Sequence, residues 1–366
     1  MSLPGMVLVT GATGLVGEGV LRRMLTADSA LEAFALVRDD AGWMRVAREL
    51  GKLADRVIPV RGDVTLPHLG LEPLVRRRVE LQTSAIVHAA ADTSFSRTLE
   101  RARAVNTTGT RHVIALGHEC PRLERLAFVS TAFVAGRATG SVAERDNGAK
   151  AGWVNAYEQS KYEAESLVRS SGLPWTILRS STIVCRDSDG GVSQINAVHR
   201  ALRIYHRGLA AMMPGHRDNP LDVVTATFVS DAIARLTLDP RAEGRTAHLC
   251  AGRNALTLGE LVDTAYDVWA AEPAWRKRQV ERAMITDPDT YRLFELAVHQ
   301  TGDPRLRAIL TSLSYFIPHL ALPKVFETSV AEELLGAAPP CSREFWLPML
   351  KHLLATNWGH SAEQAA

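Results

Sequence analysis

A glycine-rich segment, residues 10–17, follows the apolar run 7–9 and constrains the fold more than any other part of the chain. Its glycines recur at every third position, and apolar residues at helical spacing begin at Val20. A loop with little side-chain volume lets backbone N–H groups approach a pyrophosphate, and the following helix directs the positive end of its dipole at that charge. Glycines also mark ordinary turns, but the order of strand, loop and helix favours a dinucleotide site. The predicted cofactor-binding residues of this loop are Gly11, Thr13, Gly14, Leu15, Val16 and Gly17.

Short apolar runs alternate with helical patterns as far as residue 185, which is typical of a parallel sheet covered by helices. The chain of 366 residues is long enough for a second structural unit. We therefore predict an α/β protein with a Rossmann-type, doubly wound parallel sheet and a smaller, mostly helical C-terminal substrate-binding region. The predicted dinucleotide-binding domain spans 1–185, with 220–265 returning to it, and the substrate-binding region comprises 186–219 and 266–366. The predicted strands are 6–10, 33–37, 57–61, 85–88, 125–130, 175–179 and 248–250. The predicted helices are 18–25, 44–50, 99–117, 156–170, 289–298, 305–313 and 345–354.

Composition excludes several classes of protein. The formal net charge is only +2 and no long basic block occurs, so no nucleic-acid partner is predicted. There is no signal-peptide core and no apolar stretch of about 18 residues, which predicts a soluble, cytoplasmic protein without a transmembrane segment. The apolar stretch 309–322 either packs over a substrate cleft or makes peripheral contact with membrane or acyl chains. The cysteines lack metal-ligand spacing, so no metal site is predicted.

The end of the second predicted strand indicates which dinucleotide binds. In a dinucleotide fold this strand end meets the adenosine ribose. Arg38 stands there, and a guanidinium pairs with a 2′-phosphate, whereas an acidic residue would bind a free 2′-hydroxyl. Arg38 therefore favours NADP(H). The neighbouring Asp39 and Asp40 keep NAD open, and Arg38 could also be an ordinary surface arginine.

Further candidate cofactor contacts follow the third and fourth strands. Asp63, followed by Val64, is placed either to contact the adenine amino group or to cap a turn. His88 is predicted to be a buried, hydrogen-bonded histidine rather than a catalytic base. The small residues after it suit close passage of the backbone beside a cofactor, and they are Ala89, Ala90 and Ala91.

Two clusters carry candidate chemistry. Tyr157 and Lys161 are four residues apart, which places them on one face of a helix. An ammonium group favours a nearby phenolate, so we expect Lys161 to lower the pKa of Tyr157 and allow it to exchange a proton with a carbonyl or alcohol oxygen. Thr131 or Ser130, at the end of the fifth strand, would donate a hydrogen bond to the same oxygen. The Tyr/Lys spacing alone also fits an exposed helix face. However, the pair follows the glycine loop, Arg38 and the hydroxyl residues in chain order, and this order favours a reductive active site.

In this order, and together with the segment 105–110, these motifs resemble the extended short-chain dehydrogenase/reductase family over residues 5–265. Within the family, the passages 36–38, 91–95 and 155–161 are most similar to the branch of thioester reductases and male-sterility-type fatty acyl-CoA reductases.

The resemblance implies roles for individual residues. Thr131, Tyr157 and Lys161 would form the catalytic triad, with Tyr157 as the acid/base and Lys161 holding the nicotinamide ribose and tuning Tyr157. Asn106 would be the structural asparagine beside the cofactor and the active-site helix. One departure is that Arg179 is followed by serine, where the family commonly carries Arg-Pro.

The expected function is NADPH-dependent reduction of an acyl thioester, bound to coenzyme A or to a carrier protein, to an aldehyde, with onward reduction to the alcohol left open. An NADP-dependent ketone or secondary-alcohol dehydrogenase, with a steroid-like or polyketide-like substrate, would use the same residues, and so would a sugar-nucleotide epimerase. A third alternative is a non-catalytic NADP-binding sensor, against which the retained Tyr/Lys pair argues. The sequence sets no oligomeric state.

Overall fold

The computed structural model describes residues 5–146, 150–302 and 304–358. The strands in chain order are β1 (Met6–Thr10), β2 (Ala33–Val37), β3 (Val57–Arg61), β4 (Thr83–His88), β5 (Arg125–Thr131), β6 (Gly140–Val142), β7 (Trp175–Ser180), β8 (Thr182–Cys185), β9 (Met212–Pro214), β10 (Pro220–Leu221), β11 (Val223–Thr225), β12 (Thr246–Leu249), β13 (Leu256–Thr257), β14 (Met284–Thr286) and β15 (Lys324–Phe326). The helices are α1 (Leu15–Ala27), α2 (Asp40–Leu50), α3 (Pro73–Gln82), α4 (Leu99–Arg103), α5 (Gly109–Glu119), α6 (Ala156–Arg169), α7 (Ala197–His206), α8 (Ala226–Leu238), α9 (Leu258–Ala270), α10 (Pro273–Arg276), α11 (Pro288–Thr301), α12 (Pro304–Leu313), α13 (Ile317–Leu320), α14 (Ser329–Leu335) and α15 (Ser342–Ala355).

Seven of the strands form one parallel sheet in the order β12-β7-β5-β4-β1-β2-β3. The predicted doubly wound Rossmann-type sheet is therefore confirmed. The strand order reverses beside β1, because the chain runs outward to β3 and then returns to pair β4 with β1. Ligands of such sheets bind outside the carboxyl ends of the strands at this reversal, so the glycine loop after β1 lies at the expected place.

Both faces of the sheet are covered, which explains why its strands are continuously apolar. Successive residues of β1 point to opposite faces. Val7 and Val9 pack with Leu21 of α1 and Ile233 of α8. Leu8 belongs to the opposite core, which also contains residues of α3, α5 and α6.

The predicted helix 99–117 is interrupted. α4 ends at Arg103, a π-helical turn spans Ala104–Thr108, and α5 then begins at Gly109. The turn contains Asn106, whose buried side chain makes the hydrogen bonds described below. Helical periodicity continues through the turn, so the sequence pattern does not reveal the interruption.

The C-terminal half builds a second core around Trp269 and Trp346, which is lined by α7, α9 and α15. The beginning of α9, including Leu261, packs here rather than against the sheet, although it lies in the segment predicted to return to the dinucleotide domain. Conversely, α14 contributes Leu334 to a core of the sheet, beside α8 and β12. The division into a dinucleotide domain and a substrate-binding region stays a prediction. Within the described ranges, no helix has the length and apolarity needed to cross a bilayer.

Candidate active site

The glycine loop has the geometry of a phosphate cradle. Gly11 has φ +70°, and a Cβ at this position would lie 2.6 Å from the backbone nitrogen of Ala90, so only glycine fits. A Cβ on Gly17 would collide with the carbonyl oxygen of Gly11. α1 begins without a side-chain cap on Gly14, and the first intrahelical bond runs from Glu18 N–H to Gly14. The preceding N–H groups of the helix are therefore free for an anion, and these residues fit the pyrophosphate of a dinucleotide.

Arg38 follows β2 with an exposed side chain that has no hydrogen bond or ion pair among the described residues. The carboxylate of the acidic neighbour, Asp39, already has a partner: it caps α2 by accepting a hydrogen bond from Gly42 N–H at 2.7 Å. The end of this strand thus presents an unpaired guanidinium next to a carboxylate that is committed to a helix cap. This arrangement fits a ligand phosphate better than a ribose hydroxyl.

After β3, Asp63 adopts the turn-capping role, one of the two predicted for it. One of its carboxylate oxygens accepts from both the N–H and the hydroxyl of Thr65, each at 2.8 Å. Val64 is buried, and a Cβ on Gly109 would lie 3.1 Å from its side chain. The pair therefore shapes the rim of the site, and an adenine contact by Asp63 stays a prediction.

His88, at the end of β4, is a buried and satisfied histidine, as predicted. Its Nδ1 lies 2.7 Å from the Thr10 hydroxyl and its Nε2 lies 3.0 Å from the Thr110 hydroxyl. Burial lowers the pKa of His88 to about 3, so the ring is neutral at pH 7. Ala89 and Ala90 then donate their N–H groups to the carbonyl and the hydroxyl of Thr10. With Ala91 they form a half-exposed backbone ridge directly beside the glycine loop.

Asn106 connects the loop after β4 to α6. Its amide oxygen accepts from Asp92 N–H at 2.8 Å, and its amide nitrogen donates to Asp92 O and to the Ser160 hydroxyl, each at 3.0 Å. These contacts are internal to the protein. They fit the structural role implied by the family resemblance, since they position α6 against the cofactor loop.

Thr131 and Tyr157 come together at the end of β5 and the start of α6. Both side chains are buried, and the Thr131 hydroxyl is close enough to the Tyr157 phenol to act on its pKa. α6 is held in place by Asn155, whose side chain accepts from Glu158 N–H at 3.1 Å. Burial raises the pKa of Tyr157 to about 12, and Thr131 only partly opposes this rise. Tyr157 is therefore protonated at neutral pH and can act as an acid.

The expectation that Lys161 lowers the pKa of Tyr157 is wrong for this structure. The Lys161 ammonium donates to the backbone carbonyl of Val129 at 2.7 Å and lies 4.0 Å from the centroid of the Phe128 ring. The Lys161 ammonium therefore has its contacts with β5, through one backbone carbonyl and one aromatic ring. Burial lowers the pKa of Lys161 to about 7, against the attraction of Glu165.

The structure does not bring Ser130 to Tyr157. Ser130 interacts with the carboxylate of Glu165, which forms a bidentate ion pair with Arg179 at 2.8 and 2.9 Å. This pair was not predicted. Its one sequence signal is that Glu165 lies four residues after Lys161, on the same face of α6.

An aromatic group covers the site and was also not predicted. The Phe95 ring stacks on Tyr157 with centroids 5.6 Å apart, and Phe133 contacts His319 at 4.8 Å. His319 Nε2 lies 3.0 Å from a carboxylate oxygen of Glu158. Phe95 and Phe133 adjoin motifs that were recognised, but His319 comes from α13, and no sequence pattern connects it to the site.

The chain is similar to known reductases. Residues 9–233, more than half of the chain, match the family described as male sterility protein. The chain is 28% identical over 271 residues to the nonribosomal peptide synthetase asaC of Aspergillus flavus, covering 67% of this chain and 26% of that protein. It is 26% identical over 166 residues to fatty acyl-CoA reductase 8 of Arabidopsis thaliana, covering 38% of this chain and 33% of that protein. The chain thus spans a third or less of the length of these two relatives.

A solved structure matches almost the whole chain. The terminal R domain from the myxalamid PKS-NRPS biosynthetic pathway superposes with a TM-score of 0.80 at 26% identity, covering 98% of this chain and 92% of that one. The likeness therefore includes the C-terminal helical part as well as the sheet. Because this family matches more than half of its length, the chain belongs to the male sterility protein family.

Proposed function

We propose that this protein is an NADPH-dependent reductase that converts an acyl thioester to an aldehyde. The observation that carries the proposal is the buried Tyr157 phenol, which stays protonated beside Thr131 at the carboxyl end of the sheet, beyond the dinucleotide cradle. The similarity to a terminal R domain and to a fatty acyl-CoA reductase supports a thioester as the substrate.

Bound NADPH would supply the hydride to the carbonyl carbon. Tyr157 donates its phenolic proton to the carbonyl oxygen, and Thr131 stabilises the phenolate by its hydrogen bond. The resulting hemithioacetal then collapses: its hydroxyl proton returns to Tyr157, the carbon–sulfur bond breaks, and the thiolate takes a proton from solvent. The rings of Phe95 and Phe133 pack beside Tyr157 and shield the reacting carbonyl carbon from water, whereas the thiolate is protonated after it has left that carbon.

The preference for NADPH over NADH rests on Arg38. Its unpaired guanidinium follows β2, where the adenosine ribose lies in dinucleotide folds. The carboxylate of Asp39, which would have favoured a free ribose hydroxyl, is held by Gly42 N–H.

The experiment is to mix the purified protein with NADPH and a panel of thioesters, ketones and sugar nucleotides. Loss of NADPH absorbance, with chemical trapping of the aldehyde, is expected for thioesters of coenzyme A or of a carrier protein. Reduction of ketones alone would overturn the proposal in favour of a ketone reductase. Tight NADPH binding without any turnover would favour a sensor.

A further inference from the structure

Two neighbouring cavities lie near the proposed catalytic residues, and the first has several polar and charged side chains in its wall. We call it the polar chamber. Much of its wall is apolar, but Thr182, Asp222, His319 and Lys324 also line it. It adjoins the reaction centre because Phe133 also lines it, and the N–H of Phe133 donates to the Thr131 hydroxyl at 3.2 Å.

The polar groups of this chamber are incompletely bonded among the described residues. His319 is 92% buried, and its Nδ1 has no hydrogen-bond partner. Its Nε2 is at ion-pair distance from Glu158 but lacks hydrogen-bond geometry. Lys324 is 93% buried, and its ammonium reaches one backbone carbonyl, that of Leu322, at 3.5 Å. Since buried donors without partners are costly, the chamber is suited to a ligand group that accepts their hydrogen bonds.

The second cavity, which we call the apolar cavity, lies in the C-terminal helical part. Its lining side chains are aliphatic or aromatic, and they come from α7, β9, α9 and the helices α11–α13. It shares three wall residues with the polar chamber, namely Val198, Leu221 and Phe316. The two cavities are therefore neighbours, and the one that contains His319 and Lys324 is the one that adjoins Thr131 through Phe133.

We infer that the substrate is an acyl thioester with an apolar tail and a hydrogen-bonding group, such as a hydroxyl, close to the reacting carbonyl. The tail lies in the apolar cavity, and the polar group faces Lys324 and His319 in the polar chamber. Asp222, whose carboxylate is oriented by the N–H groups of Ala251 and Gly252, supplies an acceptor for a hydroxyl proton. A plain saturated chain would leave these polar groups unpaired. The inference rests on the proposed reduction of thioesters.

The test uses four pantetheine thioesters that combine both features: butyryl, 3-hydroxybutyryl, decanoyl and 3-hydroxydecanoyl. For the wild type, kcat/KM with NADPH is expected to be highest for 3-hydroxydecanoyl, and each feature is expected to contribute about tenfold or more. Lys324→Met should remove the preference for the hydroxyl and keep the preference for the long chain. Lys324→Gln, which retains a donor, should keep part of the hydroxyl preference. Ala201→Phe fills the apolar cavity, so it should remove the preference for the long chain and keep the preference for the hydroxyl.

Matched controls are Lys351→Met and Arg200→Phe, which make similar changes at exposed positions outside both cavities. Equal rates of the wild type with hydroxylated and plain chains would overturn the inference, as would equal losses with all four substrates in Lys324→Met. If no thioester is reduced at all, the proposed function fails. Dissociation constants of the same four compounds then decide the inference: tightest binding of 3-hydroxydecanoyl supports it, and equal binding overturns it.

Discussion

Replacement of Arg179 by methionine is expected to lower the free energy of unfolding by about 3 kcal/mol at pH 7. The guanidinium donates to both carboxylate oxygens of Glu165, and the two side chains are 1% and 0% exposed. Burial by itself raises the pKa of Glu165, but the charges and hydrogen bonds of Arg179, with help from Arg169, outweigh it and hold the pKa at about 2. Arg179→Met removes the residue that lowers the pKa of Glu165 most, and Arg169 remains.

The magnitude follows from this pKa. The ordinary pKa of the group is 4.5, and the net fall to about 2, which the partners produce against the cost of burial, corresponds to about 3 to 4 kcal/mol at about 1.4 kcal/mol per pH unit. Breaking a buried ion pair on one side costs about 3 to 5 kcal/mol. The lower end applies here, because Arg169 still donates to Glu165 at 2.6 Å.

The assay is urea unfolding followed by tryptophan fluorescence. The matched control is Arg103→Met, which breaks an exposed 2.6 Å ion pair with Glu163, a residue of the same helix as Glu165, and should lower the free energy of unfolding far less. The double variant Glu165→Met/Arg179→Met should recover much of the loss, since both fully buried charges are removed together and Arg169 keeps Asp146 at 3.9 Å. Because the folded pKa of Glu165 lies below its unfolded value, the stabilisation is present above pH 4.5 and is lost as the pH falls towards 2. The reasoning is refuted if Arg179→Met costs as little as Arg103→Met.

Three further outcomes concern the reaction. Tyr157→Phe removes the proton donor, so kcat should fall by about 10²–10⁴-fold while the Kd for NADPH stays nearly unchanged; wild-type turnover would remove Tyr157 from the mechanism. Arg38→Ala should weaken NADPH binding by about tenfold or more and NADH binding little, as measured by fluorescence titration, and equal losses would contradict a contact with the 2′-phosphate. Lys161 has a pKa of about 7 and loses its charge as the pH rises through that value. If the ammonium holds the ribose, KM for NADPH should therefore rise above pH 7, and a KM that is flat from pH 6 to 8 would argue against that role.

Some functional positions are readable from the sequence because they depend on local spacing. The glycine loop is a run of neighbouring residues, and the conflict between a Cβ on Gly17 and Gly11 arises within one turn. The buried strands show as apolar runs, since both faces of a parallel sheet are covered. Tyr157 and Lys161 share a helix face by their spacing alone.

Other properties depend on contacts between distant parts of the chain. The pKa of Tyr157 rises because tertiary packing buries it, while β5 engages the Lys161 ammonium that was expected to lower it. Ser130 lies beside Glu165, and the ion pair of Glu165 with Arg179 joins α6 to β7. His319 and Lys324 line the site only because α13 and β15 fold back over it. The sequence alone thus determined the cofactor cradle and the helix face shared by the proposed catalytic pair, whereas the protonation of that pair and the shape of the cavities beside it were decided by burial and long-range packing.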